Sequence, residues 1–226
     1  MEKNRILLID MYGVIIKESK GYFIPYTFER FDSSEHERLK KDFREERCFT
    51  RAQLGELTNA EFLSYLGYAS PKETMEDYLE NYLTLDEMFI DFAEKYSKIY
   101  DMCLLSNDVL EWSEYLTEYY QINGYFKEKI VSGQVHLRKP DKEIFLYTLQ
   151  KLGCEPEQCV FVDNSVKNLL VAEELGIQTI LFNRDGEEYD GRVVNDFEEL
   201  LEVMLNNDLS EFQYVIREGK WIVRQK

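Results

Sequence analysis

RILLIDMYGV, residues 5–14, sets four apolar residues after Arg5 and ends them in an acid, with a glycine three places further on. A short run that is apolar throughout reads as a strand buried on both faces, as in parallel sheets. Asp10 then stands at the carboxyl end of that strand, and Gly13 permits a sharp turn and close approach of the backbone to a ligand. Three further runs share this character: YDMCLLS ending at Ser106, CVFVD ending at Asp163 and QTILF ending at Phe182. Helical periodicity marks WSEYLTEYYQ (112–121), KEIFLYTLQKLG (142–153) and KNLLVAEELG (167–176), the last two closed by glycine. The alternation predicts an α/β fold with a doubly wound, mostly parallel sheet.

Residues 17–92 interrupt the alternation. FERFDSSEHERLKKDFREERCFT (28–50), NAEFLSYLGY (59–68) and KETMEDYLENYL (72–83) have helical spacing and no convincing strand. The interval between the first two strands is far longer than one crossover helix needs, so this stretch reads as an inserted, all-helical cap. The core is then 1–16 with 93–208. The closing stretch EFQYVIREGKWIVRQK, within a tail of 209–226, has the pattern of a hairpin with Glu218 and Gly219 in the turn. Extension of a sheet edge, self-association into a homodimer, and a free tail are all open roles for it.

The chain has 226 residues and a net charge of −17, with no basic run interleaved with aromatics. Such a field repels nucleic acid and anionic membranes, so neither is expected as a partner. A small anionic substrate remains compatible, because a few cations and backbone N–H groups in a crevice outweigh a distant surface charge at physiological screening lengths. Cys48, Cys103, Cys154 and Cys159 form no CxxC pair and meet no histidines at zinc-ligand spacing. Reduced thiols, a soluble protein and a cytoplasmic location are the expectation. His36 and His136 lie far from the strand ends and read as surface or satisfied histidines.

In an open α/β sheet, ligands bind outside the carboxyl ends of the strands, so Asp10, Ser106 and Asp163 should converge. Each also has a structural explanation: a turn for Asp10, and helix N-capping for Ser106 and for Asp163 or Ser165.

DMYGV, LLSN, LRKPDKEIF and FVDNSVKN, in this order and strand context, resemble the four motifs of the haloacid dehalogenase superfamily. GELTNAEF (55–62) resembles a cap segment of its small-molecule phosphatases. The resemblance spans most of 5–183 and implies a Rossmann-like core with a helical cap and a hydrolase acting on a small phosphorylated metabolite. It makes Asp10 the nucleophile that forms an aspartyl intermediate, a role suited to a group ionised at neutral pH. Lys139 would neutralise Asp10 and the bound anion, while Tyr12, Gly13, Ser106 and Asn107 would surround the substrate, the last two at a helix N-terminus. Mg²⁺ would be held by Asp10, the Tyr12 carbonyl, Asp163 and Asn164, since hard oxygen ligands are what it requires.

Two positions depart from the phosphatase pattern. Tyr12 stands where a second aspartate usually protonates the leaving group, which puts at risk an acid–base contribution of roughly 10²–10⁴-fold. Asn164 offers an amide where an acid is common, which predicts weaker Mg²⁺ binding. Tyrosine at position 12 is shared with the haloacid dehalogenases, so 2-haloacid dehalogenation is an alternative. Against it, Val14, Phe145 and Asp163 differ from the dehalogenase residues, and no cap arginine aligns with the halide-binding one, Arg38 and Arg44 being the nearest candidates. A catalytically impaired, phosphometabolite-binding module is a further alternative.

Overall fold

The run after Arg5 forms strand β1 (Ile6–Ile9), buried at all four residues. The structure, a computed structural model, describes residues 5–19, 22–208, 212–217 and 220–225. The other strands of the main sheet are β2 (Asp101–Ser106), β3 (Glu128–Val131), β4 (Cys159–Asp163), β5 (Gln178–Phe182) and β6 (Arg192–Val194). Their order is β3-β2-β1-β4-β5-β6 and every pairing is parallel. This is the doubly wound α/β sheet that the alternation predicts. The chain proceeds outward from β1 to β2 and β3, then returns to the other side of β1 for β4. That reversal leaves a crevice at the carboxyl ends of β1 and β4.

Among the described residues six α-helices lie between β1 and β2: α1 (Phe23–Arg30), α2 (His36–Arg44), α3 (Cys48–Gln53), α4 (Asn59–Leu66), α5 (Pro71–Asn81) and α6 (Glu87–Tyr96). GELTNAEF contains the start of α4. Thr58 accepts from the Glu61 N–H, and Glu61 accepts from the Thr58 N–H, a reciprocal cap that satisfies two helix-end donors. The remaining helices are α7 (Leu110–Tyr119), α8 (Ser132–Val135), α9 (Lys142–Leu152), α10 (Val166–Glu174) and α11 (Phe197–Asp208).

Alternate residues of a strand face opposite sides of a sheet, so β1 feeds two cores. Leu7 and Ile9 join the face covered by α6, α7 and α11, while Ile6 and Leu8 join Ile144 and Phe145 of α9 and Leu169 of α10. Phe89 and Phe92 of α6 pack on Phe197 of α11, with ring centroids 5.4 and 5.3 Å apart. Because α6 covers the sheet in this way, we propose a cap of 17–84 in place of the boundary at 92. Both ends of that segment meet: Lys17 N–H donates to the Thr84 carbonyl at 2.9 Å, Asp86 N–H donates to the Ile15 carbonyl at 2.9 Å, and Ile16 pairs antiparallel with Leu85. The cap is docked on α7, where Trp112 Nε1 donates to Asn59 Oδ1 at 2.7 Å and the Trp112 ring lies 4.9 Å from Phe23.

The closing stretch forms an antiparallel pair, β7 (Phe212–Arg217) with β8 (Lys220–Gln225), separate from the main sheet. Its expected turn residues, Glu218 and Gly219, lie outside the described residues. No helix among the described residues is long and apolar enough to cross a membrane.

Candidate active site

Asp10, the first residue beyond β1, is aligned by its own N–H, which donates to the Val162 carbonyl at 3.0 Å. Its Oδ1 accepts from the Met11 N–H at 2.8 Å and lies 2.8 Å from Lys139 Nζ. The same ammonium lies 2.7 Å from Oδ2 of Asp163, at the end of the neighbouring strand β4. Both Lys139 and Asp163 are buried, and Asn168 donates to both Asp163 oxygens at 3.0 Å while the Ser165 N–H donates to Oδ1 at 2.7 Å. Burial pushes the Asp10 carboxyl up to about 7; Lys139 opposes that shift and Asp163 adds to it. Burial also works against the charge on Lys139, yet Asp10 and Asp163 outweigh it and raise its pKa, so the ammonium stays protonated.

Lys139 is aimed by its backbone. The Asn107 amide donates to the Lys139 carbonyl and accepts from the Lys139 N–H, both at 2.8 Å, which locks the loop before α9 against the end of β2. From the cap, Gln53 at the end of α3 donates to the Asn107 carbonyl at 3.2 Å. Cap and core thus close over one cavity of about 340 Å³, whose lining includes Asp10, Tyr12, Asn107, Lys139 and Asn164.

Ser106, Gly13 and Asp163 do not line that cavity. Ser106 is fully buried and its hydroxyl has no hydrogen-bond partner among the described residues, so it caps no helix there. Both Asp163 oxygens accept from Lys139, Asn168 and the Ser165 N–H, so the carboxylate expected to ligate metal is held against Lys139. Gly13 adopts φ +79, and a Cβ there would lie 2.1 Å from Asn164 Nδ2. The missing side chain is therefore a cradle that lets the Asn164 amide rest on the turn after Asp10. Asn164 Nδ2 donates to Asp185 Oδ2 at 2.9 Å, and no hydrogen bond among the described residues reaches Asp10 Oδ2. The described residues contain no cluster of three or more acidic, histidine or cysteine side chains arranged for a metal. Asp10, the Tyr12 carbonyl and the Asn164 amide are hard oxygen donors, a set that fits an octahedral Mg²⁺ with its remaining positions left to water and substrate oxygen.

Tyr12 has a partner that lies 96 residues away. Its hydroxyl donates to Asp108 Oδ2 at 3.0 Å, and Asp108 Oδ1 accepts from the Val109 N–H at 2.8 Å. Burial holds the Asp108 carboxyl well above the usual carboxylate range. Burial, then the Asp108 charge, likewise raises the Tyr12 phenol. The phenol therefore keeps its proton at neutral pH.

The model of the haloacid dehalogenase-like hydrolases matches residues 5–176. The chain belongs to that family. A D-ribitol-5-phosphate phosphatase from Bacteroides thetaiotaomicron is 27% identical over 190 residues, covering 79% of this chain and 91% of the relative. A glyceraldehyde 3-phosphate phosphatase from Methanothermobacter thermautotrophicus is 31% identical over 48% of this chain and 53% of its own length. Among solved structures, a haloacid dehalogenase family enzyme from Bacteroides thetaiotaomicron, in complex with magnesium and inorganic phosphate, superposes with a TM-score of 0.67. It is 25% identical, over 83% of this chain and 98% of the other.

As a haloacid dehalogenase-like hydrolase the protein is an enzyme, and its cavity holds groups that sequence reasoning passed over. Asp108 was hidden in the run SNDV, which reads as the entry to α7. Arg138 was hidden beside Lys139, although it too lines the cavity. An acid and a cation directly next to motif residues were the available signals. Arg38, a candidate for halide binding, is instead bonded to Glu35, Asp42 and the Leu66 carbonyl within the cap.

Proposed function

We propose that the protein is a Mg²⁺-dependent phosphatase of small phosphorylated metabolites. The observation that carries this reading is Lys139 held between Asp10 and Asp163 on the wall of a cavity closed by a helical cap. The phosphatase names of the relatives support the same choice of substrate. Asp10 attacks phosphorus, the ester P–O bond breaks and the alkoxide leaves as the alcohol after taking a proton from water; water then cleaves the aspartyl phosphate, returning the Asp10 carboxylate and releasing inorganic phosphate. Lys139 offsets the charge that would otherwise hold two anions apart, and the Asn107 amide keeps its backbone in place. Tyr12, protonated at neutral pH and with its one hydroxyl proton donated to Asp108, is a poor base. A bound Mg²⁺ would supply charge neutralisation on the phosphoryl oxygens, with Asp10, the Tyr12 carbonyl and Asn164 as its protein ligands. Asp163 acts through Lys139. The cap limits access and excludes bulk water.

Hydrolysis of p-nitrophenyl phosphate and of sugar phosphates, with Mg²⁺ and with EDTA, tests the proposal. Turnover that needs Mg²⁺ and is lost in Asp10→Asn supports it. No turnover of any ester, or equal turnover by Asp10→Asn, overturns it. Chloride release from 2-chloropropionate in EDTA would favour the dehalogenase reading instead.

A further inference from the structure

We infer that Arg138 receives a second anionic group of the substrate, so that the preferred phosphate monoesters carry a carboxylate or another phosphate besides the one presented to Asp10. The inference rests on the phosphatase reading and extends it to the substrate class.

Arg138 lines the same cavity as Asp10 and Lys139. Its Nε is buried, and among the described residues it has no hydrogen-bond partner and no carboxylate forms an ion pair with its guanidinium. Other arginines at the cap and around the sheet are treated differently. Arg30 pairs with Asp77, Arg38 with Glu35 and Asp42, and Arg184 with Asp86. In a chain with 44 acidic residues against 27 basic ones, an unpaired guanidinium in a cleft is an exception that packing does not require. Burial lowers the pKa of Arg138, the Arg47 guanidinium from the start of α3 lowers it further, and only Asp141 opposes them. A half-buried cation with its Nε out of water and no counter-charge beside it is unfavourable until something anionic enters.

The scissile phosphate does not need this cation. Lys139, the next residue, already supplies one, its ammonium bridging Asp10 and Asp163 on the cavity wall. Arg138 is therefore a second positive centre in the cavity, and Lys167 on α10, exposed and without an ion pair among the described residues, adds a third at the same lining. A phosphate group has one anchor at the strand ends, and a second anionic group has another. Guanidinium suits either carboxylate or phosphate because its fork matches two oxygens at once.

The test compares matched esters on the purified full chain with Mg²⁺ at constant ionic strength. Glycerol 3-phosphate is paired with 3-phosphoglycerate, fructose 6-phosphate is paired with fructose 1,6-bisphosphate, and p-nitrophenyl phosphate is the common reference. The expected result is a higher kcat/KM for the doubly anionic member of at least one pair, and which pair responds separates carboxylate from phosphate. In Arg138→Gln that member should lose roughly ten- to hundredfold through KM, and the loss should exceed the loss on its singly anionic counterpart by about tenfold. Equal losses on both members would mean that Arg138 grips the scissile phosphate, and would overturn the inference. A wild-type preference for the singly anionic member in both pairs also overturns it, and needs no variant to fold. If no ester turns over, p-nitrophenyl phosphate included, the phosphatase reading fails and this inference fails with it; turnover without the charge preference sinks this inference alone.

Discussion

The hydroxyl of Tyr12 donates to Asp108 across 3.0 Å, tying the turn after β1 to the loop after β2 inside the cavity. Asp108 is only 1% exposed, so this bond supplies one of the few donors that the acid has. Tyr12→Phe removes it and should cost about 1–3 kcal/mol of stability, read from urea midpoints. Tyr12→Asp, which restores the more common phosphatase residue, should cost more, because it sets a second carboxyl beside a buried one. A Tyr12→Asp protein as stable as wild type would contradict this.

Asp10 gives a pH dependence with a defined sign. In the metal-free fold its carboxyl is pushed up to about 7 by burial, against 3.8 as the ordinary value. Between those two values the folded state binds more protons than the unfolded chain. The stabilising contribution is therefore complete below the lower value and is lost as pH rises through the upper one. Asparagine stays neutral, so Asp10→Asn in EDTA should gain stability relative to wild type as pH increases from about 4 to about 7. Thermal melts of both proteins across that range would show it; a constant difference in Tm would not fit.

Lys139→Met leaves two carboxylates facing each other where an ammonium now lies 2.8 and 2.7 Å from them. Breaking a buried ion cluster by removing its only cation costs about 3–5 kcal/mol. Activity should vanish as well, but the urea midpoint is the sharper reading, since a solvated surface lysine would leave it unmoved.

Asn164→Asp changes metal binding and stability in opposite directions. The amide now donates to Asp185 at 2.9 Å; an acid there loses that bond and meets a like charge. The metal-free variant should melt below wild type. An added charge among the ligands should tighten Mg²⁺ about tenfold or more by calorimetry, so the rise in Tm on adding Mg²⁺ should be larger than for wild type. An unchanged Mg²⁺ affinity would remove Asn164 from the ligand set.

Much of the sheet was legible because β1, β2, β4 and β5 are continuous apolar runs. Strand β3 was not, since EKIV begins with two charges, and β6 has only three residues, too short for any period to register. At the site, the strand-end rule was enough to bring Asp10 and Asp163 to neighbouring strands. It was blind to side-chain direction: Ser106 turns into the core, and Asp163 turns toward Lys139 and Asn168. The Tyr12–Asp108 bond joins residues 96 apart and leaves no local trace. Arg138 was overlooked for a different reason, because an unpaired cation becomes conspicuous only once its surroundings are known to be closed.

Where the chain leaves β1 and where it comes back, the backbone of Lys17 touches that of Thr84, and Asp86 touches Ile15. A long excursion whose departure and return lie side by side puts almost no constraint on what happens in between, because the loop-closure cost grows only slowly with length. What holds the excursion to the core is therefore contact and not chain length: Trp112 with Asn59 and Phe23, and Gln53 with the Asn107 carbonyl. The cavity is thus a joint product of two bodies of chain that meet at one seam: Phe49, Gln53 and Tyr78 come from the excursion, Asp10, Arg138 and Lys139 from the sheet beneath it.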